Sequence, residues 1–244
     1  VMTMGGGVGD YPYYMQVARG LVDGHKRLFK FGFNNDINNS TEDCWDVGGV
    51  YTYQTSALAM TVTSDAGATD NDVQVTVQGL DASYNEVSEA VTLAGSGTAT
   101  TTQTYLRVFR AFVSGSQEPT NNINVTNGGT TYARISTGEN QTLMALWTVP
   151  AGYTAYLLQT DVTAFTEQNN KFATVQIQTR ELNGVFRTDD KFAIVENIHH
   201  QQYQAPLPIL EKTDIRVRAI ASSSNAHLEI SAGLDIIYIE NTAP

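Results

Sequence analysis

Cysteine is nearly absent from this chain: Cys44 is the one thiol in 244 residues. One thiol closes no internal disulfide, and no C-x-x-C spacing exists to hold a metal. Charge is scarce as well. Charged residues make up 16% of the chain, against roughly a quarter in an average domain. No apolar run approaches the roughly 20 residues that a membrane helix needs. The Gly-rich start lacks the apolar core of a signal peptide. These absences lead us to expect a soluble chain made in a cytoplasm, with no membrane partner. The N-x-S/T triplets at Asn38, Asn124 and Asn140 are then incidental.

Catalytic constellations are missing too. There is no G-x-S-x-G, and Cys44 sits among Asp43, Trp45 and Asp46, a setting that raises a thiol pKa and makes a poor nucleophile. His199 and His200 are adjacent, so on a strand they face opposite ways and cannot grip one ion together. The expectation is a protein without enzymatic activity or cofactor. The net charge of −11 repels phosphate backbones, and no basic stripe offsets it. The densest basic stretch, His25, Lys26, Arg27 and Lys30, reads as a solvated or partner-facing arm. No nucleic-acid partner is expected.

What the chain has is β-pattern. Hydrophobic residues reach 41%, enough for a real core, and Thr, Ser, Asn, Gln and Gly replace charge on the surface. Residues 73–79, VQVTVQG, alternate strictly, with Val73, Val75 and Val77 on one face. Further strands are predicted at 57–63, 87–93, 105–113, 123–126, 131–135, 142–149, 153–164, 172–182, 185–194, 198–208 and 214–220. Residues 227–232 and 234–239 read as a last hairpin around Gly233, and 95–102 as a loop. In 105–113 the apolar face changes near Arg110, which suggests a bulge. Asn-Gly steps at Asn127-Gly128 and Asn183-Gly184 signal hairpins. Pro206 and Pro208 place 198–208 at a sheet edge or in a crossing loop. Only residues 15–22 can form a helical turn or two.

About a dozen strands and no long helix predict an all-β fold. We expect one or two antiparallel β-sandwich, jelly-roll-like modules with an extended N-terminal arm. The expected division is an arm and docking segment at 1–56, a first sandwich at 57–136 and a second at 137–244.

The segment 30–53 is too irregular for a helix and too polar for a buried strand. Tyr11, Tyr13, Tyr14, Phe29, Phe31 and Phe33 are too many aromatics for a free tail. They either fold back on their own domain or bury against a neighbouring subunit. With Trp45, Tyr51 and Tyr53 they form the candidate protein-docking set. Asn34–Asn39 and Gly48-Gly49 set the turns. The oxygen-rich stretch 34–46, with Asp36, Glu42, Asp43 and Asp46, leaves a weak metal site open. It lacks the spacing of a regular calcium loop, so capped turns are the better reading.

The runs F-G-F-N-N-D-I at 31–37 and E-D-C-W-D-V-G-G-V-Y at 42–51 resemble a motif of structural proteins of tailed bacteriophages, chiefly marine and cyanobacterial phages with short tails. VTVQGLDASYNEVSEAVTL at 75–93, the run at 105–113 and LMALWTVPAGYTAYLL at 143–158 look similar to further parts of that family. The resemblance implies a virion protein, assembled in the host cytoplasm. Its expected role is a capsid decoration (cement) protein that docks on the major capsid protein or other virion proteins. A homotrimer is the expected oligomer. The alternative is a head or tail fibre or adaptor component that binds a receptor or glycan.

Overall fold

The structure, a computed structural model, describes residues 11–166, 170–195, 197–223 and 227–242. The Gly-rich stretch 1–10, read above as the start of the arm, lies outside the described residues. No helix among the described residues is long and apolar enough to cross a membrane.

In chain order, a short helix α1 (Tyr13–Ala18) precedes β1 (His25–Ile37) and the two-residue β2 (Glu42–Asp43). Seven strands follow: β3 (Leu58–Ser64), β4 (Gln74–Leu80), β5 (Glu86–Thr92), β6 (Thr98–Tyr105), β7 (Arg107–Val113), β8 (Ile123–Asn127) and β9 (Thr130–Ile135). The chain ends in β10 (Leu146–Thr148), β11 (Tyr153–Phe165), β12 (Ala173–Arg180), β13 (Arg187–Ile194), β14 (Ile198–Ile209), β15 (Asp214–Ala221) and β16 (Leu228–Glu240).

Two antiparallel sheets form a jelly roll. One runs β1-β16-β11-β14 and the other β10-β15-β12-β13, with β2 on β15. The chain crosses repeatedly from one sheet to the other, so their inner faces share one core. Alternation fills it: Leu228, Ile230, Ala232, Leu234, Ile236 and Tyr238 of β16 meet Val175 and Ile177 of β12 and Ile215 and Val217 of β15. Burying each large aliphatic side chain contributes about 1.5–3 kcal/mol before entropy is counted. The strands β3–β9 make a separate sandwich, with sheets β6-β3-β8-β9 and β5-β4-β7. Val73, Val75 and Val77 are fully buried in its core, as their alternation requires.

The sandwich is therefore inserted between the first long strand of the jelly roll and the rest of it. Two chain crossings run side by side at the junction, joined by a bridge between Trp45 and Met144. Cys44 and Ala145 point into the jelly-roll core, while Trp45 and Met144 point into the sandwich core.

Several expectations are corrected here. From His25 onward the chain is no arm: β1 pairs with β16 over most of its length and forms an edge of the jelly roll. The hairpin expected over 227–239 is instead a single strand, β16, from Leu228 on. Gly233 sits mid-strand because the Phe29 ring packs over it, 3.0 Å from where a Cβ would stand. The loop expected at 95–102 holds most of β6. That strand lies at a sheet edge and buries only Thr101 and Tyr105, so its sequence shows no apolar rhythm. The run 105–113 breaks at Leu106, with β6 ending in one sheet and β7 starting in the other. The bulge expected near Arg110 is at Phe109, between the pairs Gln78–Arg110 and Gly79–Val108. Of 142–149, only Leu146–Thr148 joins a ladder.

Candidate functional site

The outer face of the sheet β1-β16-β11-β14 carries most of the aromatic docking set. Along β1, Arg27, Phe29, Phe31 and Phe33 pair with Ile237, Asp235, Gly233 and Ser231. These β16 residues alternate with its core positions, so the β1 set points outward. Phe29 is 51% exposed and stacks on Phe31 at 6.0 Å; Phe31 and Phe33 are half-buried. Phe165 and Ile198 are exposed further along the same face.

Helix α1 lies over one end of this face. It starts after Pro12, whose carbonyl accepts from the Met15 and Gln16 amides, and Gly20 follows its end at φ +67°. Tyr14, 55% exposed, and Met15 line a groove of about 390 Å³ with Arg27, Leu158 and Tyr203. Tyr13 and Tyr14 line a smaller one with Tyr156, Pro206 and Ile237. Tyr11 is exposed just before the helix, with the Arg19 guanidinium 4.5 Å over its ring.

Trp45, Tyr51 and Tyr53 are elsewhere, inside this chain. Trp45 is 3% and Tyr51 4% exposed. Their rings meet edge-to-face at 5.3 Å, and Tyr51 meets Tyr53 at 4.9 Å. The Tyr51 hydroxyl donates to the Val108 carbonyl at 3.1 Å, and burial pushes its pKa up. These three aromatics pack at the junction of the sandwich and the jelly roll, where Trp45 and Tyr51 are buried and Tyr53 is half-buried.

Within 34–46, residues 34–37 end strand β1 and Glu42–Asp43 form β2. Of the turn expected at 34–39, only the part after Ile37 turns the chain, and the polar side chains cap what lies between and after the strands. The Asn34 amide donates to Glu42 and to the Asp43 carbonyl, and its oxygen accepts from the Asp36 amide. Glu42 accepts from the Gly49 amide at 2.8 Å. Gly48 and Gly49 take φ of +76° and +68°, which makes the turn they were read to make. Among the described residues, no three His, Cys, Asp or Glu gather closely enough to hold a metal ion. The Cys44 thiol is buried, and burial raises its pKa.

The basic stretch of β1 is largely spoken for. Lys26 pairs with Glu86 at 2.8 Å and Arg27 with Asp235 at 3.1 Å, while Lys30 is buried. His199 and His200 do face opposite ways. The His199 ring stacks on Phe192 at 3.6 Å, and His200 Nδ1 lies 2.5 Å from Asp161.

The sequence reading missed a buried ionic cluster between the modules. Arg107 of the sandwich meets Asp214 of the jelly roll at 2.8 Å, and Arg180 and Thr148 meet the same carboxylate. Nearby, Asp43 is fully buried, 2.9 Å from Arg218 and 3.7 Å from Arg216, and it accepts from the Tyr51 amide. Burial raises the Asp43 pKa against the pull of those arginines. Tyr53 and Phe186 stack into the cluster: Arg180 lies 4.3 Å from the Tyr53 ring, and Arg216 lies 3.5 Å from Phe186. The only sequence signal was the alternation D-I-R-V-R at 214–218. It marks a polar face but not what covers it.

No family model and no curated protein matches the sequence. Similar solved structures include the infectious bursal disease virus Gt strain, at 12% identity and a TM-score of 0.25 over 96% of this chain and 80% of that one. Another is the VP2 subviral particle of infectious bursal disease virus, at 12% identity and a TM-score of 0.26 over 91% and 74%. Scores this low assign neither a family nor a partner.

Proposed function

We propose that this chain is a non-enzymatic virion protein that decorates a phage head, docking on the major capsid lattice through the outer face of its β1-β16-β11-β14 sheet. The observation that carries this reading is the row Tyr13, Tyr14 and Phe29, exposed on and beside a rigid sheet. Aromatics held in this way expose apolar area at little entropic cost and make strong contact anchors. The phage-like motifs at 31–37 and 42–51 and the jelly-roll fold, common in viral capsid domains, support the same reading. A cement protein that binds only the assembled lattice stabilises it by mass action. A homotrimer suits such a role.

The test is reconstitution on heads that lack the protein, with occupancy read by gel densitometry and particle imaging. Truncation must stop before His25, because β1 belongs to the fold. Removing residues 1–24, or making Tyr14→Ala with Phe29→Ser, is expected to cut occupancy at least about tenfold while the chain stays folded. Full occupancy for both variants sinks the docking face. The same images separate a position on the shell from one at a fibre base or adaptor.

A further inference from the structure

A second surface, away from the aromatic face, is a cleft of about 480 Å³ at the junction of the modules. Its walls come from the 53–57 connector, the β4–β5 turn, the start of β7, the β12–β13 connection and the β14–β15 turn. Three of its cations are Arg107, Arg180 and Lys212. Its two carboxylates are Asp214 and Glu181. Glu181 is turned to the exposed Arg187, 3.6 Å away. Asp214 is shared by both guanidiniums, which leaves one positive charge over. Lys212 adds another, since its ammonium has no ion pair or hydrogen bond among the described residues. A cleft with excess positive charge is out of character for a chain of net charge −11.

The donors have spare capacity. Arg180 spends Nε and Nη2 on Asp214, and its Nη1 makes no hydrogen bond among the described residues. Its plane is held against the Tyr53 and Phe186 rings, so it is already fixed for a carboxylate. Gln54 lines the same cleft at 8% exposure, and both ends of its amide lack a hydrogen-bond partner among the described residues. Buried amides without partners are costly and uncommon. One exposed aliphatic side chain, Leu182, lines the cleft beside the charges.

We propose that this cleft binds an acidic peptide segment of a partner protein, its carboxylate seated between Arg180 and Lys212 and a flanking aliphatic side chain against Leu182. Charge complementarity selects the carboxylate. The exposed Leu182 favours a peptide over an acidic sugar, which has no apolar side chain to place against it. The site stands independently of the aromatic face.

The test is NMR titration of the isotopically labelled full chain with the probe acetyl-Leu-Glu-Leu-amide at low salt. Saturable shifts are expected at the Leu182, Gly184 and Lys212 amides. Acetyl-Leu-Gln-Leu-amide is expected to bind at least about tenfold more weakly, and so is the acidic probe at ~0.5 M salt. Lys212→Glu is expected to lose the shifts with an unchanged melting temperature; Lys212→Gln gives the same readout if the charge reversal disturbs folding. No saturable shift, equal binding of the Gln peptide, or full binding by both Lys212 variants overturns the proposal. Glucuronate binding as tightly as the peptide also overturns it, in favour of an acidic sugar.

Discussion

The ammonium of Lys30, on strand β1 of the jelly roll, donates to the carbonyl of Phe109, the bulged residue of β7 in the inserted sandwich. The bulge leaves Phe109 outside the register of the β4–β7 ladder, and Lys30 takes up its carbonyl. Lys30 is buried, and burial, helped by the charge of Arg110, lowers its pKa to about 7.

Lys30 should make stability rise with pH above neutrality. The unfolded chain holds this proton up to about 10.5, while the folded chain releases it near 7. Between those values the unfolded state binds more protons, so raising pH favours folding, and the gain is lost as pH falls towards 7. Urea unfolding at pH 7 and pH 9 is expected to show a rise of about 2 kcal/mol that Lys30→Met lacks. The pH stays below 10 because buried Tyr51 and Tyr238, whose pKa values are raised, act in the opposite direction there. Equal slopes for the two proteins would remove Lys30 as the cause.

Asp46 has the opposite sign over a lower window. Burial lifts its carboxyl from 3.8 to about 7, against the Ser136 hydroxyl bond and the charge of Arg134. The folded chain holds this proton between those values, so the contribution is full below about 3.8 and lost as pH rises through 7. Asp46→Asn is expected to gain about 2 kcal/mol on wild type between pH 5 and pH 7.5. Parallel denaturation curves at the two pH values would contradict this.

Gly32 and Gly233 pair with neighbouring positions of the same two strands but should respond differently to alanine. A Cβ at Gly32 overlaps the backbone of Ala145 and Cys44, where the two crossings pass. A Cβ at Gly233 meets the exposed Phe29 ring at 3.0 Å and the Asp161 carbonyl at an ordinary 3.9 Å. Gly32→Ala is expected to cost about 3 kcal/mol or more and Gly233→Ala about 1 kcal/mol or less. Thermal melts of the two variants check the order, and a reversal would mean that the crossings can move apart.

Asp214 serves Arg107 and Arg180 together. Asp214→Asn leaves two guanidiniums facing each other at the junction. A loss of about 3–5 kcal/mol is expected, because an unpaired buried charge costs more than an intact pair contributes. Chemical denaturation measures it. A loss below about 1 kcal/mol would show that solvent reaches the arginines freely.

Cys44 should be silent in the native state. It is fully buried, and burial raises its thiol pKa. Ellman's reagent at pH 8 is expected to label no thiol in the folded chain and one equivalent in denaturant. Fast native labelling would expose an opening of the module junction.

Legibility followed the physics of each element. Strict alternation at Val73, Val75 and Val77 placed β4, because a sheet with one wet face permits little else. Asn183 takes φ +62° in the β12–β13 connection, as an Asn-Gly step suggests. At the other hairpin the positive φ values fall on Gly128 and Gly129, one step past Asn127. Pro206 and Pro208 marked β14, an edge strand paired only to β11. Gly233 misled because a glycine within an apolar run looks the same whether it turns the chain or sits under a distant ring. Trp45, Tyr51 and Tyr53 misled for a related reason: aromatics beside Gly and Asn suit an exposed loop and a buried junction equally.

By itself the sequence determined the β-class, most strand positions, the edge at Pro206 and Pro208, and the aromatic row of β1. All of these follow from spacing along the chain, where a period of two and a fixed φ act locally. Only the tertiary structure decided that β1 belongs to the last strand of the chain and that a whole sandwich sits between β1 and β10. It alone brought Arg107, Arg180, Arg216 and Arg218 round Asp43 and Asp214. Those partners lie far apart in sequence, and the pairing is set by which faces two cores leave to cover each other.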